Sequence, residues 1–316
     1  MIRMTTFMNP MNKKDKIYIC GHKGMVGSSI IRLFKRNGYT NLVTSEKSKL
    51  NFLDQKKVKN FLESEKPDLV IIAAAKVGGI HANDTFKAEF LYENLQIQNN
   101  LINGSHEADI NDLVFLGSSC IYPKFCQQPI KEDYLLTGEL EPTNEPYAIA
   151  KIAGLKMCEF YNHQYQRNYF SVMPCNLYGT NDNYDLDNSH VLPALLRKIH
   201  EAKVSNNKEV EIWGSGKPKR EFLHVDDLAS AILFLLEINF SGNLINIGSG
   251  SDIEIKQLAD KIRKIIRYKG NFKFDVSKPD GTPKKLLDIS KINELGWKPK
   301  ISLDEGIEKT YLEKFL

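Results

Sequence analysis

Three side chains in the middle of the chain have the types and the spacing needed to protonate a reacting oxygen. Tyr147 and Lys151 are four residues apart in a segment with helical periodicity over 146–165, so a helix presents both on one face. An ammonium group beside the phenol predicts that the pKa of Tyr147 falls towards neutrality. Ser118 follows an apolar strand at 113–116, and its hydroxyl can bond a carbonyl oxygen. The alternatives are an exposed helical pair and a turn serine.

A glycine-rich loop near the N-terminus predicts a dinucleotide site. Gly21, Gly24 and Gly27 form a GxxGxxG pattern between an apolar strand at 16–20 and a helix at 28–37. In this context glycines allow a tight turn, a close approach of the pyrophosphate and close packing of helix on strand. The helix N-terminus then offers N–H groups and a positive dipole end to the phosphates.

The end of the second strand decides between NAD and NADP. Glu46 could bind the ribose hydroxyls of NAD. Lys23 in the glycine loop and Lys47 after the strand favour instead the 2′-phosphate of NADP. The sequence therefore predicts NADP, with a solvated surface position as the alternative for Lys47.

Strand and helix patterns alternate for about 160 residues, which predicts an α/β fold with a Rossmann-type, doubly wound parallel sheet. After residue 179 strand and helix patterns alternate more loosely, which predicts a smaller C-terminal α/β domain that exchanges elements with the first. We expect a flexible tail at 1–15, a nucleotide-binding domain at 16–178 with a return segment at about 217–248, and a substrate domain at 179–216 and 249–316.

Composition and charge exclude several other classes. The net charge of +4 is spread along the chain and gives no support to nucleic-acid binding, and no apolar run is long enough to cross a membrane. Five cysteines without a CxxC pair argue against a disulfide framework and a metal site and favour a reducing compartment. The N-terminal segment has no apolar signal core, so we expect a cytoplasmic protein.

Longer motifs extend the pattern over almost the whole chain. They are GHKGMVGS, AAAKVGGIHAN, FLGSSCIYPK, LEPTNEPYAIAKIAG, SVMPCNLYG, NSHVLPALL, KREFLHVDD and SKPDGTPKKLLD. With these segments the chain resembles the extended short-chain dehydrogenase/reductases, and within them the GDP-4-keto-6-deoxy-D-mannose 3,5-epimerase-4-reductases that make GDP-L-fucose. GxxGxxG and YxxxK mark only the superfamily, whereas SSCIYP, EPTNEPYAIAK and NSHV are more specific.

The resemblance implies a role for each matching residue. Ser118, Tyr147 and Lys151 would form the reductase triad, with Cys120 as general base and His190 as general acid of the epimerisation. The GDP-sugar would lie against Lys198, Trp213, Arg220, Asp280 and, as a weaker candidate, Lys285. The NADP site would comprise Gly21, His22, Lys23, Gly24, Met25, Val26, Gly27, Lys47, Leu50, Asn51, Leu116, Gly117, Ser118, Ser119, Tyr147, Lys151, Pro174, Cys175, Asn176, Leu177 and His190.

This chemistry needs a paired acid and base because the protons at C3 and C5 of a 4-keto sugar are acidic. A thiolate at Cys120 and an imidazolium at His190 would act from opposite faces, and Tyr147 and Ser118 would stabilise the enolate oxygen. The alternatives for Cys120 and His190 are a buried packing residue and a helix cap.

Two other functions stay open on the sequence. A nucleotide-sugar 4-epimerase or a simple 4-reductase would use the same tyrosine and lysine without a second acid/base pair. A non-catalytic NADP-binding sensor would not need Tyr147 or Lys151. The resemblance also implies a homodimer formed by the helices at 86–108 and 146–165.

Overall fold

The computed structural model describes residues 11–186, 189–278 and 280–316, so most of the predicted tail lies outside the described residues. The strands are β1 Ile17–Cys20, β2 Leu42–Val43, β3 Leu69–Ile72, β4 Asp112–Leu116, β5 Asn168–Pro174, β6 Asn176–Tyr178, β7 Glu209–Trp213, β8 Lys219–His224, β9 Leu244–Ile247, β10 Asp252–Glu254, β11 Asn271–Asp275 and β12 Lys284–Lys285. The helices are α1 Met25–Arg36, α2 Gln55–Glu65, α3 Ile80–Thr85, α4 Lys87–Glu107, α5 Glu145–Tyr165, α6 Val191–Val204, α7 Val225–Glu237, α8 Ile255–Ile266, α9 Ser290–Glu294 and α10 Leu303–Phe315.

The larger sheet is parallel and has the order β2-β1-β3-β4-β5-β9. Every residue of β1 and β3 is buried because helices cover both faces of the sheet, which is why these strands read as unbroken apolar runs. The order reverses between β1 and β3. In open α/β sheets, ligands bind at such a reversal, beyond the carboxyl ends of the strands.

The predicted α/β class and the parallel Rossmann-type sheet are confirmed, with small shifts in the ends of elements. Helix α1 begins at Met25 and not at residue 28, because the glycine loop itself supplies the N-cap residue, Gly24. Strand β3 ends at Ile72 and not at residue 75, and the next three residues line the cavity described below.

A second sheet lies outside the Rossmann sheet, and its central strand was missed from the sequence. Strand β8 pairs with β6, β10 and β12, whereas β7 pairs with β11 in a separate two-stranded sheet. The predicted return segment at 217–248 is therefore divided, since β8 joins the second sheet and β9 joins the first. Strand β8 gives no clear strand signal because it begins with the cations Lys219 and Arg220, although its last four residues are buried.

Two long helices, α4 and α5, pack side by side against the Rossmann sheet. The packing is close at Gly154 of α5, where an added Cβ would lie 2.9 Å from the side chain of Gln98 on α4 and 2.5 Å from the ring of Phe115 on β4. Within the described part of the chain, no helix combines the length and the apolar character needed to cross a membrane.

Candidate active site

A cavity of about 1050 Å³ runs across the carboxyl ends of the Rossmann strands to the second sheet. This volume is at the upper end of ordinary ligand sites and gives room for more than one ligand. The cavity is lined by every residue predicted for catalysis, cofactor and substrate except Gly27. The fold thus brings together segments that are more than 200 residues apart in the sequence.

The glycine loop has the geometry that a pyrophosphate needs. Gly21 adopts a φ of +84°, and a Cβ there would meet the backbone of Ala74 at 2.9 Å. A Cβ on Gly27 would lie 2.3 Å from the carbonyl oxygen of Gly21, so Gly27 sets the packing of helix on loop. Helix α1 has no side-chain cap at Gly24, which leaves its first N–H groups to a ligand. The loop therefore fits a dinucleotide.

The rim of the cavity beside the glycine loop, where the sequence predicts the adenosine of the cofactor, carries mixed charge. Lys23 Nζ lies 2.6 Å from Glu46 Oε2, and His22 Nε2 lies 3.4 Å from Glu46 Oε1. Lys47 is exposed on the same rim of the cavity. Both lysines lie where the sequence predicted them, but one of them is already paired with a carboxylate.

The expected effect of Lys151 on Tyr147 is not found. Burial, with a smaller contribution from Cys120, raises the pKa of Tyr147 instead of lowering it. The Lys151 ammonium lies 5.7 Å from the Tyr147 ring centroid and donates a 2.7 Å hydrogen bond to the Leu116 carbonyl oxygen. Burial lowers the pKa of Lys151 to about 8. Tyr147 is therefore a neutral phenol, the form that can donate a proton.

Ser118 and Cys120 lie together at the carboxyl end of β4. Ser118 caps a short 3-10 turn, Ser119–Ile121, and its Oγ accepts a 3.3 Å hydrogen bond from the Cys120 N–H. Burial raises the pKa of the Cys120 thiol, and the charge of Lys285 is the largest effect that opposes this rise. The thiolate expected from the sequence is thus not the favoured form, although a cation that stabilises it is present.

His190 reaches the same cavity from the start of α6. It is the N-cap residue of α6, and its side chain is exposed within the cavity. The surrounding walls remove solvent and lower the pKa of His190. The imidazolium expected from the sequence is therefore also disfavoured, and both members of the predicted pair are neutral for the same reason.

The far end of the cavity presents an aromatic ring and cations. Trp213 is 47% exposed, and the ammonium groups of Lys198 and Lys278 each lie 5.3 Å from its ring centroid. Such an arrangement offers a ring for stacking and positive charge for phosphate. Lys278 was not predicted, because nothing in the sequence sets it apart from other exposed lysines.

Arg220 and Asp280 stabilise the loops at this end of the cavity through hydrogen bonds. Arg220 donates hydrogen bonds to the carbonyl oxygens of Thr282 (2.5 Å) and Asp280 (3.5 Å). The Asp280 carboxylate accepts two 2.7 Å hydrogen bonds from Ser215, one from N–H and one from Oγ. Asp280 was expected to face the substrate, and in the structure its carboxylate also fixes the turn after β7.

Glu141 was missed by the sequence analysis. Its Oε2 accepts hydrogen bonds from the Thr143 N–H and hydroxyl and from the Asn144 N–H, just before α5 begins. Glu141 also lines the cavity and lies 3.8 Å from Lys124. The sequence offers a partial signal, since Thr143 and Asn144 just before a helical run are typical of a helix start, but nothing in it assigns Glu141 to their N–H groups.

Comparison with known proteins agrees with this geometry. Residues 17–248 match the NAD dependent epimerase/dehydratase family. The chain belongs to this family. Members of this family with a related sequence include the GDP-L-fucose synthase of Escherichia coli, which is 53% identical over 94% of this chain and 96% of that protein. The GDP-L-colitose synthase of Yersinia pseudotuberculosis is 43% identical over 93% of this chain and 96% of that protein.

Solved structures of the family agree as well. The GDP-mannoheptose C4 reductase of Campylobacter jejuni, with NADP bound, has a TM-score of 0.88 and 41% identity. The alignment covers 96% of this chain and 98% of that chain. The expected family resemblance is therefore confirmed, and the chain is a nicotinamide-dependent enzyme of this family.

Proposed function

We propose that this protein epimerises GDP-4-dehydro-6-deoxy-α-D-mannose at C3 and C5 and then reduces C4 with NADPH to give GDP-β-L-fucose. The observation that carries the proposal is one cavity lined by the proton donor Tyr147, the thiol Cys120 and the imidazole His190. Relatives named GDP-L-fucose synthase, at more than 50% identity over almost the whole chain, support this substrate.

Epimerisation needs one group to remove the proton from carbon and a second to return a proton to the opposite face. Cys120 lies in the wall formed by β4, and His190 enters from α6. In this proposal the thiol proton of Cys120 first passes to His190, which leaves a thiolate that Lys285 favours and an imidazolium. The thiolate takes the proton from carbon, and the imidazolium supplies the new one. Between the two transfers, the enolate oxygen at C4 accepts hydrogen bonds from Tyr147 and Ser118.

Reduction then uses the same oxygen site. NADPH, when bound along the glycine loop, supplies a hydride to C4. Tyr147 gives its phenolic proton to the oxygen that becomes the C4 hydroxyl, and the neutral state of Tyr147 suits this step. Lys151 is buried beside it, and its positive charge favours the phenolate left behind. One pair of donors therefore serves an enolate first and an alkoxide afterwards.

The use of NADPH as a cofactor is part of the proposal. Lys23 and Lys47 lie on the rim where a 2′-phosphate would bind, and related structures carry NADP. We also propose that two chains associate through α4 and α5, because Tyr92 and Phe160 on these helices are 60% and 61% exposed. Sedimentation at micromolar concentration is expected to show a dimer, and a monomer would contradict it.

The test is NADPH oxidation with GDP-4-keto-6-deoxy-D-mannose in deuterated water, followed by product analysis. We expect GDP-L-fucose with deuterium at C3 and C5. In the Cys120→Ser variant, deuterium incorporation should fall at least tenfold. Cys126 lies outside the cavity lining, so in the control variant Cys126→Ser the incorporation should stay within twofold of the wild type. A reduced product without deuterium would make the protein a simple 4-reductase and would return Cys120 to a packing role.

A further inference from the structure

Glu46 occupies the point where the choice between two nicotinamide cofactors is made. It lies three residues past the end of β2 and lines the adenosine end of the cavity. In Rossmann sites a carboxylate about 20 residues past the glycine loop binds the ribose hydroxyls of NAD. Glu46 has this position, in a site where two lysines were expected to bind a 2′-phosphate.

The contacts of Glu46 show that its carboxylate is charged and engaged. The Lys23 ammonium lies 2.6 Å away, and the hydrogen bond from Lys23 is the largest effect that lowers the pKa of Glu46. The His22 ring approaches the other oxygen at 3.4 Å. A cation that could bind phosphate is therefore already bound to an anion of the protein.

The two cofactors meet this arrangement differently. A 2′-phosphate must compete with the Glu46 carboxylate for Lys23, and the two anions repel each other at short range. A free 2′-hydroxyl instead finds an acceptor in the same carboxylate. Among the described residues Lys47 has no ion pair, so it remains as an attraction for the phosphate.

We infer that Glu46 is the residue that sets cofactor specificity in this chain, and that it allows NADH as well as NADPH by opposing Lys23 and Lys47. This inference rests on the nicotinamide-dependent function proposed above. It concerns the adenosine end only and makes no use of the groups that act on the sugar.

The experiment measures the binding of 2′,5′-ADP and 5′-AMP, two probes that differ by the deciding phosphate. Isothermal titration on the full chain gives both dissociation constants for the wild type and for Glu46→Gln. In the wild type we expect less than about tenfold preference for 2′,5′-ADP. In Glu46→Gln we expect that preference to increase about tenfold, through tighter 2′,5′-ADP and weaker 5′-AMP binding.

Glu63→Gln is the matched control. Glu63 is also a partly exposed glutamate paired with a lysine, Lys59, at 3.9 Å, but it lies on α2 outside the cavity lining. Its substitution should change neither constant. The same variants assayed with NADPH and NADH should show the same change in the ratio of kcat/KM values.

Three results would overturn the inference. If Glu46→Gln weakens 2′,5′-ADP, the carboxylate holds Lys23 in place for the phosphate and supports NADPH binding. If both constants change together or stay the same, Glu46 does not discriminate between the cofactors. If the wild type binds neither probe, the nucleotide site is wrong. The sugar chemistry is judged separately by the deuterium experiment, so the two failures can be told apart.

Discussion

The two ends of the cavity are built in different ways. The cofactor end is made mainly from backbone, since the glycine loop and the first turn of α1 offer N–H groups from residues close in sequence. The substrate end is made from side chains that reach far along the chain. Arg220 bonds to Thr282 across 62 residues, and Ser215 bonds to Asp280 across 65. Local geometry therefore determines the first end and long-range packing the second.

This difference suggests how each end should fail. At the cofactor end a change of side chain matters where it blocks space or alters charge, as at Gly27 or Glu46. At the substrate end, one substitution removes hydrogen bonds that hold a loop, and the positions of other residues in that loop should then change as well. The side chains proposed for catalysis line the same cavity, and their substitution should affect the reaction rate without affecting the binding of cofactor or substrate.

Tyr147→Phe should produce the largest effect. It should change the chemical step and leave the binding of cofactor and substrate unchanged. Loss of the phenolic proton donor is expected to lower the rate of NADPH-dependent reduction by about 10²- to 10⁴-fold. NADPH binding, measured by fluorescence, should stay within about threefold of the wild type. Weak NADPH binding in this variant would mean that Tyr147 is a structural part of the cofactor end.

His224 lies outside the cavity lining, where β8 ends and α7 begins, and it tests how burial makes stability depend on pH. It is fully buried, its Nδ1 accepts a 3.2 Å hydrogen bond from the Asp226 N–H, and burial lowers its pKa to about 4. An unfolded histidine gains a proton near pH 6.5, whereas the folded one does not until about pH 4. The free energy of unfolding should therefore fall as pH drops through this window.

Denaturation at pH 7 and pH 5 measures this effect. We expect His224 to contribute about 2 kcal/mol to the loss of stability between these two values. His224→Gln removes the titration, so the variant should lose less stability between pH 7 and pH 5 than the wild type. An equal loss in both proteins would contradict the pKa assignment.

Arg220→Lys should affect the substrate end alone. A lysine cannot reproduce the two directions in which the guanidinium donates to Thr282 and Asp280. We expect the KM for the GDP-sugar to rise about 10- to 100-fold, with kcat and NADPH binding nearly unchanged. An unchanged KM would show that the loop keeps its shape without the hydrogen bonds from the Arg220 guanidinium.

Lys285→Met should have the smallest effect of these substitutions. It tests whether Lys285 at the substrate end acts on the thiol of Cys120. Lys285 is the cation with the largest effect in lowering the pKa of Cys120. Without it, thiolate formation should need a higher pH, and the pH profile of deuterium exchange should move up by about one unit. The pH profile of reduction, measured on an epimerised substrate, is the internal control and should not move.

The sequence predicted the elements that local patterns control. Unbroken apolar runs gave β1, β3 and β4, and the glycine loop and the Tyr147–Lys151 pair were found by spacing. Strand β8 and the hydrogen bonds by which Glu141 holds the segment before α5 were not found. Strand β8 begins with two cations that resemble a solvated loop, and burial of its other residues depends on partners from three separate segments.

The sequence by itself determined the α/β order of the chain, the dinucleotide loop and the types of residue that could act on a sugar ketone. Only the tertiary structure decided their charge states. The pKa values of Tyr147 and Cys120 are raised and that of His190 is lowered, because the walls of one cavity exclude water that would stabilise their ions. Spacing along a chain cannot express that desolvation, since it arises from groups that meet only after folding.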